Sequence, residues 1–248
     1  FDALGFSICT SESLLRVSTI SRYPLLSKFQ SLTVSDPNKV ISGFTHKPLV
    51  DPQVIPISQA IRRVPLAMQD EVITELKRME AEGVLEKIDS SPFVSNMVIA
   101  RKSNGQIRIC IDLSSVNKAV IPDKYPLPTT DELSKFFAGA TVFSKIDLQW
   151  GYLQVPLHPD SRYLTAMITP IGLYQWKRLP FGLSSAPSCF QKLISNITSD
   201  CTGTTNLLDD IAICGRDKTE HDSRLERVLH KLQEYNATIN LEKSTFGA

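Results

Sequence analysis

The sequence predicts an α+β fold. Amphipathic helical stretches alternate irregularly with short β-prone runs, without the strict βα repeat that marks a parallel sheet. An Asn-Gly pair at 104–105 separates two such runs, a strong hairpin signal. Apolar residues make up 42% of the 248-residue chain and charged ones 21%, enough for a buried core in one large domain or two modest ones.

Taken in order, residues 1–58 stand apart. After the short opening Phe1-Asp2-Ala3-Leu4-Gly5-Phe6, the stretch over 9–58 is rich in Ser, Thr and Pro with little periodicity, and reads as a linker with a strand or two of its own. From Pro65 the pattern sharpens. Met68, Val72, Leu76 and Met79 fall at helical spacing, with Asp70, Glu71, Lys77 and Glu80 elsewhere on the wheel and Gly83 as the stop. Two strands are expected over 93–101 and 106–113, joined by Ser103-Asn104-Gly105. Pro122, Pro126 and Pro128 punctuate a connector to a short helix near 129–138. A buried strand over 141–146 is expected to end at Asp147. A β-rich region follows over 162–178, turning at Pro170-Ile171-Gly172, then a helix from Ala186. Strands over 204–208 and 211–214 are separated by Asp209-Asp210. A helix over 219–235 directs Leu225, Val228, Leu229, Leu232 and Tyr235 inward, and a last strand over 238–241 precedes Lys243.

The formal charge is +1, from 27 basic against 26 acidic residues, and argues neither for nor against a nucleic-acid partner, because a basic groove is a local feature. Cysteines stand at 9, 110, 189, 201 and 214, with no C-x-x-C spacing, so they read as reduced packing thiols. There is no run of about 18 apolar residues, which excludes a membrane span.

Chemistry concentrates in the acids. The run Asn206-Leu207-Leu208-Asp209-Asp210-Ile211-Ala212-Ile213-Cys214 sets two carboxylates inside an apolar hairpin. Unpartnered burial of each costs several kcal/mol, and neighbours also repel. A divalent cation removes that cost; a tight, exposed acidic turn is the plain alternative. Asp147, at the end of another apolar strand, is either a third ligand or a strand-end cap. Hard ions such as Mg²⁺ take oxygen ligands shared with substrate phosphates.

With these residues in order, the chain resembles reverse transcriptases of long-terminal-repeat retrotransposons, the gypsy-like group, from about residue 59 to 248. Phe143-Ser144-Lys145-Ile146-Asp147-Leu148 with Gly151-Tyr152 is similar to the family's first aspartate motif. Leu179-Pro180-Phe181-Gly182-Leu183, with Ala186-Pro187 and Phe190-Gln191, is similar to its nucleotide-contacting motif, and Leu207-Leu208-Asp209-Asp210 to its second aspartate motif. The resemblance implies a right-hand polymerase fold: fingers and palm, an antiparallel palm sheet flanked by helices, and no thumb within this chain. Asp147 and Asp209, supported by Asp210, are expected to bind two Mg²⁺ or Mn²⁺ ions. Arg108 with Arg101 or Lys102 is expected to grip the incoming deoxynucleoside triphosphate. Tyr152 would screen its sugar, Phe181 and Gly182 would shape its pocket, and Lys243 corresponds to the lysine that protonates pyrophosphate.

The implied activity is RNA-directed DNA synthesis on a primer paired with RNA or DNA. The implied partners are the remainder of a pol polyprotein (protease, RNase H and integrase) and, as a further candidate, a second copy of the chain. The expected location is intracellular, in a cytoplasmic virus-like particle. Residues 1–8 look like the tail of a preceding aspartic protease, and the chain is expected to stop before the thumb. Two positions depart from the family: Leu207 replaces its usual Tyr, and Ser114 its frequent Arg. They motivate a second expectation, a catalytically silent remnant that binds nucleic acid or a partner chain.

Overall fold

The computed structural model describes residues 23–101, 105–126, 128–207 and 210–248. They cluster into two compact units. Of the described residues, 23–35, 128–149, 194–207 and 210–248 belong to the first, and 36–101, 105–126 and 150–193 to the second. In chain order the strands are β1 (Leu49–Val50), β2 (Leu85–Ile88), β3 (Ser95–Arg101), β4 (Ile107–Ile111), β5 (Val120–Ile121), β6 (Val142–Leu148), β7 (Met167–Thr169), β8 (Gly172–Trp176), β9 (Thr204–Leu207), β10 (Asp210–Gly215) and β11 (Ile239–Thr245). The α-helices are α1 (Gln30–Thr33), α2 (Gln69–Ala81), α3 (Thr130–Phe137), α4 (Ala186–Ile197) and α5 (Lys218–Glu234). The mixture without βα alternation is the α+β class expected.

The first unit is built on an antiparallel sheet in the order β11-β6-β10-β9. Side chains alternate across a strand. One face therefore carries Ser144, Ile146 and Leu148 of β6 with Ile211 and Ile213 of β10, all buried. Helix α5 packs on this sheet and buries His221, Leu225, Val228, Leu229 and Leu232; Tyr235, expected inward, is half-buried at its C-cap. Two expectations need correction. Asp147 lies inside β6 rather than ending it, because pairing continues to Leu148↔Ile239. The last strand runs on to Thr245, through an irregularity between Asn240 and Thr245.

Residues 24–33 fold as a 3₁₀ helix, Pro24–Phe29, leading into α1, and bury Leu26, Phe29 and Leu32. Those side chains recur every third residue, the spacing of a 3₁₀ helix rather than an α-helix. Phe29 lies edge-on to His230 of α5, 4.8 Å between centroids. At the start of α5, His221 is fully buried, its Nε2 2.8 Å from Ser144 Oγ. Its Nδ1 lies 3.2 Å from the Tyr23 hydroxyl and 3.0 Å from Asp222.

The second unit holds a five-stranded sheet in the order β2-β8-β7-β3-β4 and a small β1-β5 pair. Helix α2 packs against β2 and β4 through Val72, Leu76 and Met79. It stops as the sequence predicts: Gly83 takes φ +63°, and Val84 N–H donates to the Met79 carbonyl at 2.9 Å, a glycine C-cap. The β3–β4 hairpin pairs Arg101 with Ile107. The β-rich region expected from 162 begins only at Met167. Residues Pro159–Thr165 are 3₁₀ instead, opened by Pro159 and closed by the Thr165 hydroxyl, which donates to the Arg162 carbonyl at 2.7 Å. His46 is buried with Nε2 2.8 Å from Ser185 Oγ, and burial lowers its pKa to about 4.

Each unit yields a stability test. A Cβ added at Gly215 would meet His221 N at 2.5 Å, so Gly215→Ala is expected to push α5 off the sheet. The expected cost is about 1–3 kcal/mol, read from the urea midpoint. In the second unit, His46 is neutral when folded but takes up a proton when unfolded below about pH 6.5. Its stabilisation is thus complete above that pH and drains away as pH falls toward 4. The unfolding free energy should drop by roughly 3 kcal/mol across that window, and His46→Gln should flatten this part of the profile.

Candidate active site

Strand register brings two of the predicted acids together. Asp210 is the Cα partner of Asp147 across β10 and β6, which sets their Cα atoms roughly 4.5–5.5 Å apart. Both side chains are half-buried and stand on the face opposite the α5 core. Asp209 adjoins Asp210 in sequence and, with Leu208, lies outside the described residues. Among the described residues, no three His, Cys, Asp or Glu side chains gather closely enough to hold an ion, so the described acid site is a pair. Like charges directly opposite one another destabilise a sheet. Burial is the main force raising the Asp147 pKa, with Asp210 adding to it, while Lys243 and Lys145 pull it down. Lys145 Nζ lies 2.8 Å from Asp210 Oδ2. Mg²⁺ is commonly held by one or two carboxylates together with substrate oxygens, and the facing pair fits that donor set.

The irregularity in β11 has a local cause. Asn240 Oδ1 accepts the backbone N–H of Glu242 at 3.1 Å and of Lys243 at 3.3 Å. The Ser244 hydroxyl donates to the Asn240 carbonyl at 2.6 Å and accepts Asp147 N–H at 3.0 Å. This bulge, a device that re-aims side chains beside functional sites, leaves Lys243 exposed with its charge acting on Asp147.

The second unit assembles the nucleotide-contact candidates. The Arg108 guanidinium lies 4.1 Å from the Phe181 ring centroid. Phe181 packs on Tyr152 at 5.1 Å, and Tyr152 meets Phe190 edge-on at 5.2 Å. Stacking a planar cation on a ring contributes about 0.5–1 kcal/mol at an exposed site and limits its orientations. Gly182 takes φ +94°, a conformation costly for any side-chain-bearing residue. Its carbonyl accepts from Asn117 Nδ2 at 2.8 Å, while Asn117 Oδ1 accepts Ser184 N–H at 2.9 Å. Arg101 turns back on its own hairpin, donating to the Gly105 carbonyl at 3.0 Å and pairing with Glu71 at 3.4 Å. Lys102 lies outside the described residues.

Sequence reasoning missed Asn117, Phe190 as the far wall of Tyr152, and Lys145 as a partner of Asp210. Lys145 left a signal, two residues before Asp147 and so on the same strand face, and Phe190 lies in the same motif as Phe181. At the departures, Leu207 sits beside Asp210 in the β9–β10 register, with 43% of its surface exposed. It lines a largely apolar pocket of about 340 Å³ with Phe137, Phe143 and Ala212. The Ser114 hydroxyl donates to Asp112 at 2.6 Å.

Comparison with known proteins gives these features a family. Residues 99–248 match the family model described as reverse transcriptase (RNA-dependent DNA polymerase). The chain is 34% identical over 196 residues to an uncharacterized protein of Caenorhabditis elegans, covering 78% of this chain and 15% of that one. It is 30% identical over 252 residues to the retrovirus-related Pol polyprotein from transposon 297 of Drosophila melanogaster, covering 98% and 24%. The chain therefore spans a quarter or less of these relatives. Its fold matches the foamy viral protease-reverse transcriptase in complex with an RNA/DNA hybrid. The TM-score is 0.81 at 21% identity, over 98% of this chain and 34% of that one. The four-stranded antiparallel sheet with its helices and the β3–β4 hairpin unit thus correspond to a polymerase palm and fingers, and the chain belongs to the reverse transcriptase family.

Proposed function

We propose that the chain is the nucleotidyl-transfer core of an RNA-directed DNA polymerase, extending a primer on an RNA or DNA template from deoxynucleoside triphosphates. The observation that supports this most is the pairing of Asp147 with Asp210 on the sheet face opposite the core. No packing requirement explains two facing carboxylates there, and the cost of their repulsion needs a compensating role. With Asp209 they would hold two Mg²⁺ or Mn²⁺ ions, which would supply activation of the primer 3′-hydroxyl and charge neutralisation at the leaving pyrophosphate.

The remaining roles fall to side chains already placed. Arg108, a charged fork pre-oriented on Phe181, suits triphosphate oxygens. Tyr152, wedged between Phe181 and Phe190, would present a rigid ring beneath the sugar and exclude a 2′-hydroxyl by bulk. Lys243, exposed on the β11 bulge and acting on Asp147, is the candidate proton donor to pyrophosphate. Lys102 and Arg101 are secondary: Arg101 must first leave Glu71 and the Gly105 carbonyl. The wider assignments, to a gypsy-like element, a pol polyprotein and a cytoplasmic virus-like particle, belong to this same proposal.

Leu207 and Ser114 favour a second reading, a silent remnant that binds nucleic acid without copying it. Mn²⁺ separates the two. A competent acid site gains thermal stability from the ion in proportion to RT ln(1 + [L]/Kd), and a silent one gains none.

Asp147→Asn and Asp209→Asn are each expected to abolish primer extension while the unfolding midpoint stays within about 0.5 kcal/mol of wild type or above it. Extension that survives either change refutes the proposal. Tyr152→Val is expected to cut discrimination between deoxy- and ribonucleoside triphosphates by about 10- to 200-fold in kcat/KM, and unchanged discrimination would remove Tyr152 from its role.

A further inference from the structure

Lys145 has no part in the roles above, yet its Nζ lies 2.8 Å from Asp210 Oδ2. It stands two residues before Asp147 and so projects from the same face of β6. Its Cα partner is Ala212, so Asp210 is its diagonal neighbour across the strand pair. Ala212 opposes it with a single methyl, and the lysine stem reaches past to set Nζ 2.8 Å from Asp210 Oδ2. Both side chains are about half exposed, so the ion pair contributes little to folding stability as such. Its effect is local. One carboxylate oxygen of the acid pair is engaged, and a positive charge stands where a cation approaching the pair would meet it.

We propose that Lys145 is a positioning residue that pins the Asp210 carboxylate and competes with the divalent ion for it. This rests on the metal-binding reading of the acid pair. Asp210 is then the auxiliary carboxylate because a neighbouring ammonium holds it, and Asp147, with Asp209, carries the stronger ligation. Lys145 restrains the affinity of the site, so that an ion arriving with the triphosphate's own oxygens is favoured over one binding the protein alone. Lys243 also acts on this face: its charge and that of Lys145 both bear on Asp147, while the contact with Asp210 is made by Lys145.

The test is Mn²⁺ binding to the nucleotide-free chain, followed by the paramagnetic signal of the free ion, for wild type, Lys145→Met, Lys145→Arg and Asp210→Asn, and for Asp210→Asn combined with Lys145→Met. Removing one charge at contact distance in a half-exposed setting should tighten Mn²⁺ binding by about fivefold in Lys145→Met. Lys145→Arg should keep the wild-type affinity, and the gain should largely vanish in the Asp210→Asn background. A purely structural lysine would leave or weaken the affinity when replaced. If wild type binds Mn²⁺ and Lys145→Met binds it no more tightly, this inference fails while the metal-binding reading stands. If wild type itself does not bind Mn²⁺, both fall. Should Lys145→Met fail to fold, Lys145→Gln carries the same expectation.

Discussion

The antiparallel register of β6 against β10 is the constraint on which the rest of the first unit depends. With Asp210 opposite Asp147 and Ile211 opposite Ile146, period-two alternation sends isoleucines to α5 and acids to the other face. A one-residue slip of β10 would turn Asp210 toward the helix and expose Ile211 and Ile213, and a slip of β6 would do the same to Asp147 and Ile146. The apolar face therefore enforces the acid face. Burying an isoleucine is worth about 1.5–3 kcal/mol, so the few that line this seam outweigh repulsion between two half-exposed carboxylates. The site is held together by what lies behind it.

That arrangement breaks a local rule at the acid pair. Opposed like charges are avoided in sheets, and here the unit tolerates them while surrounding them with compensation: Lys145 on Asp210, Lys243 acting on Asp147, and a bulge that takes up the Asp147 N–H through Ser244. Local conflict embedded in a globally consistent fold is characteristic of functional sites. The second unit applies the same economy differently. Gly182 is held in a left-handed conformation by one asparagine that bridges its carbonyl and the N–H of Ser184, so hydrogen bonds fix the turn carrying Phe181 between the buried Leu179 and Leu183.

What the sequence made legible follows period and chemistry. The α2 stop at Gly83, the β3–β4 hairpin and the short helix near 129–138 rest on local signals, while the Asp147–Asp210 encounter rests on two recognisable aspartate motifs brought together by strand pairing. The 3₁₀ segments at 24–29 and 159–165 were not legible: the first lies in a stretch read as an aperiodic linker, and the second, with few apolar side chains, overlaps the start of a region read as β-rich. The bulge in β11 depends on Asn240 folding back on Glu242 and Lys243, in a stretch whose polar composition looks like the end of a strand. Asn117 was invisible because its partners stand 65 and 67 residues away.

The two departures from the family pattern can be weighed by charge. At Leu207 a side chain with no ionisable group stands where a phenol is usual, beside Asp210 and over an apolar pocket. The loss is a hydrogen-bonding tip and ring area, not a ligand or a counter-charge. Ser114 is different, because it replaces a cation. Asp112, which an arginine could have neutralised, is served instead by the Ser114 hydroxyl and by Arg62 at 3.8 Å, and these partners hold its carboxyl below the usual range. Asp112 therefore stays ionised and its local fold is kept, while one positive charge is removed from a unit whose proposed work is to hold a triphosphate. Under the proposed function, any deficit from Ser114 falls on nucleotide affinity, where Arg108 is the candidate contact, stacked on Phe181.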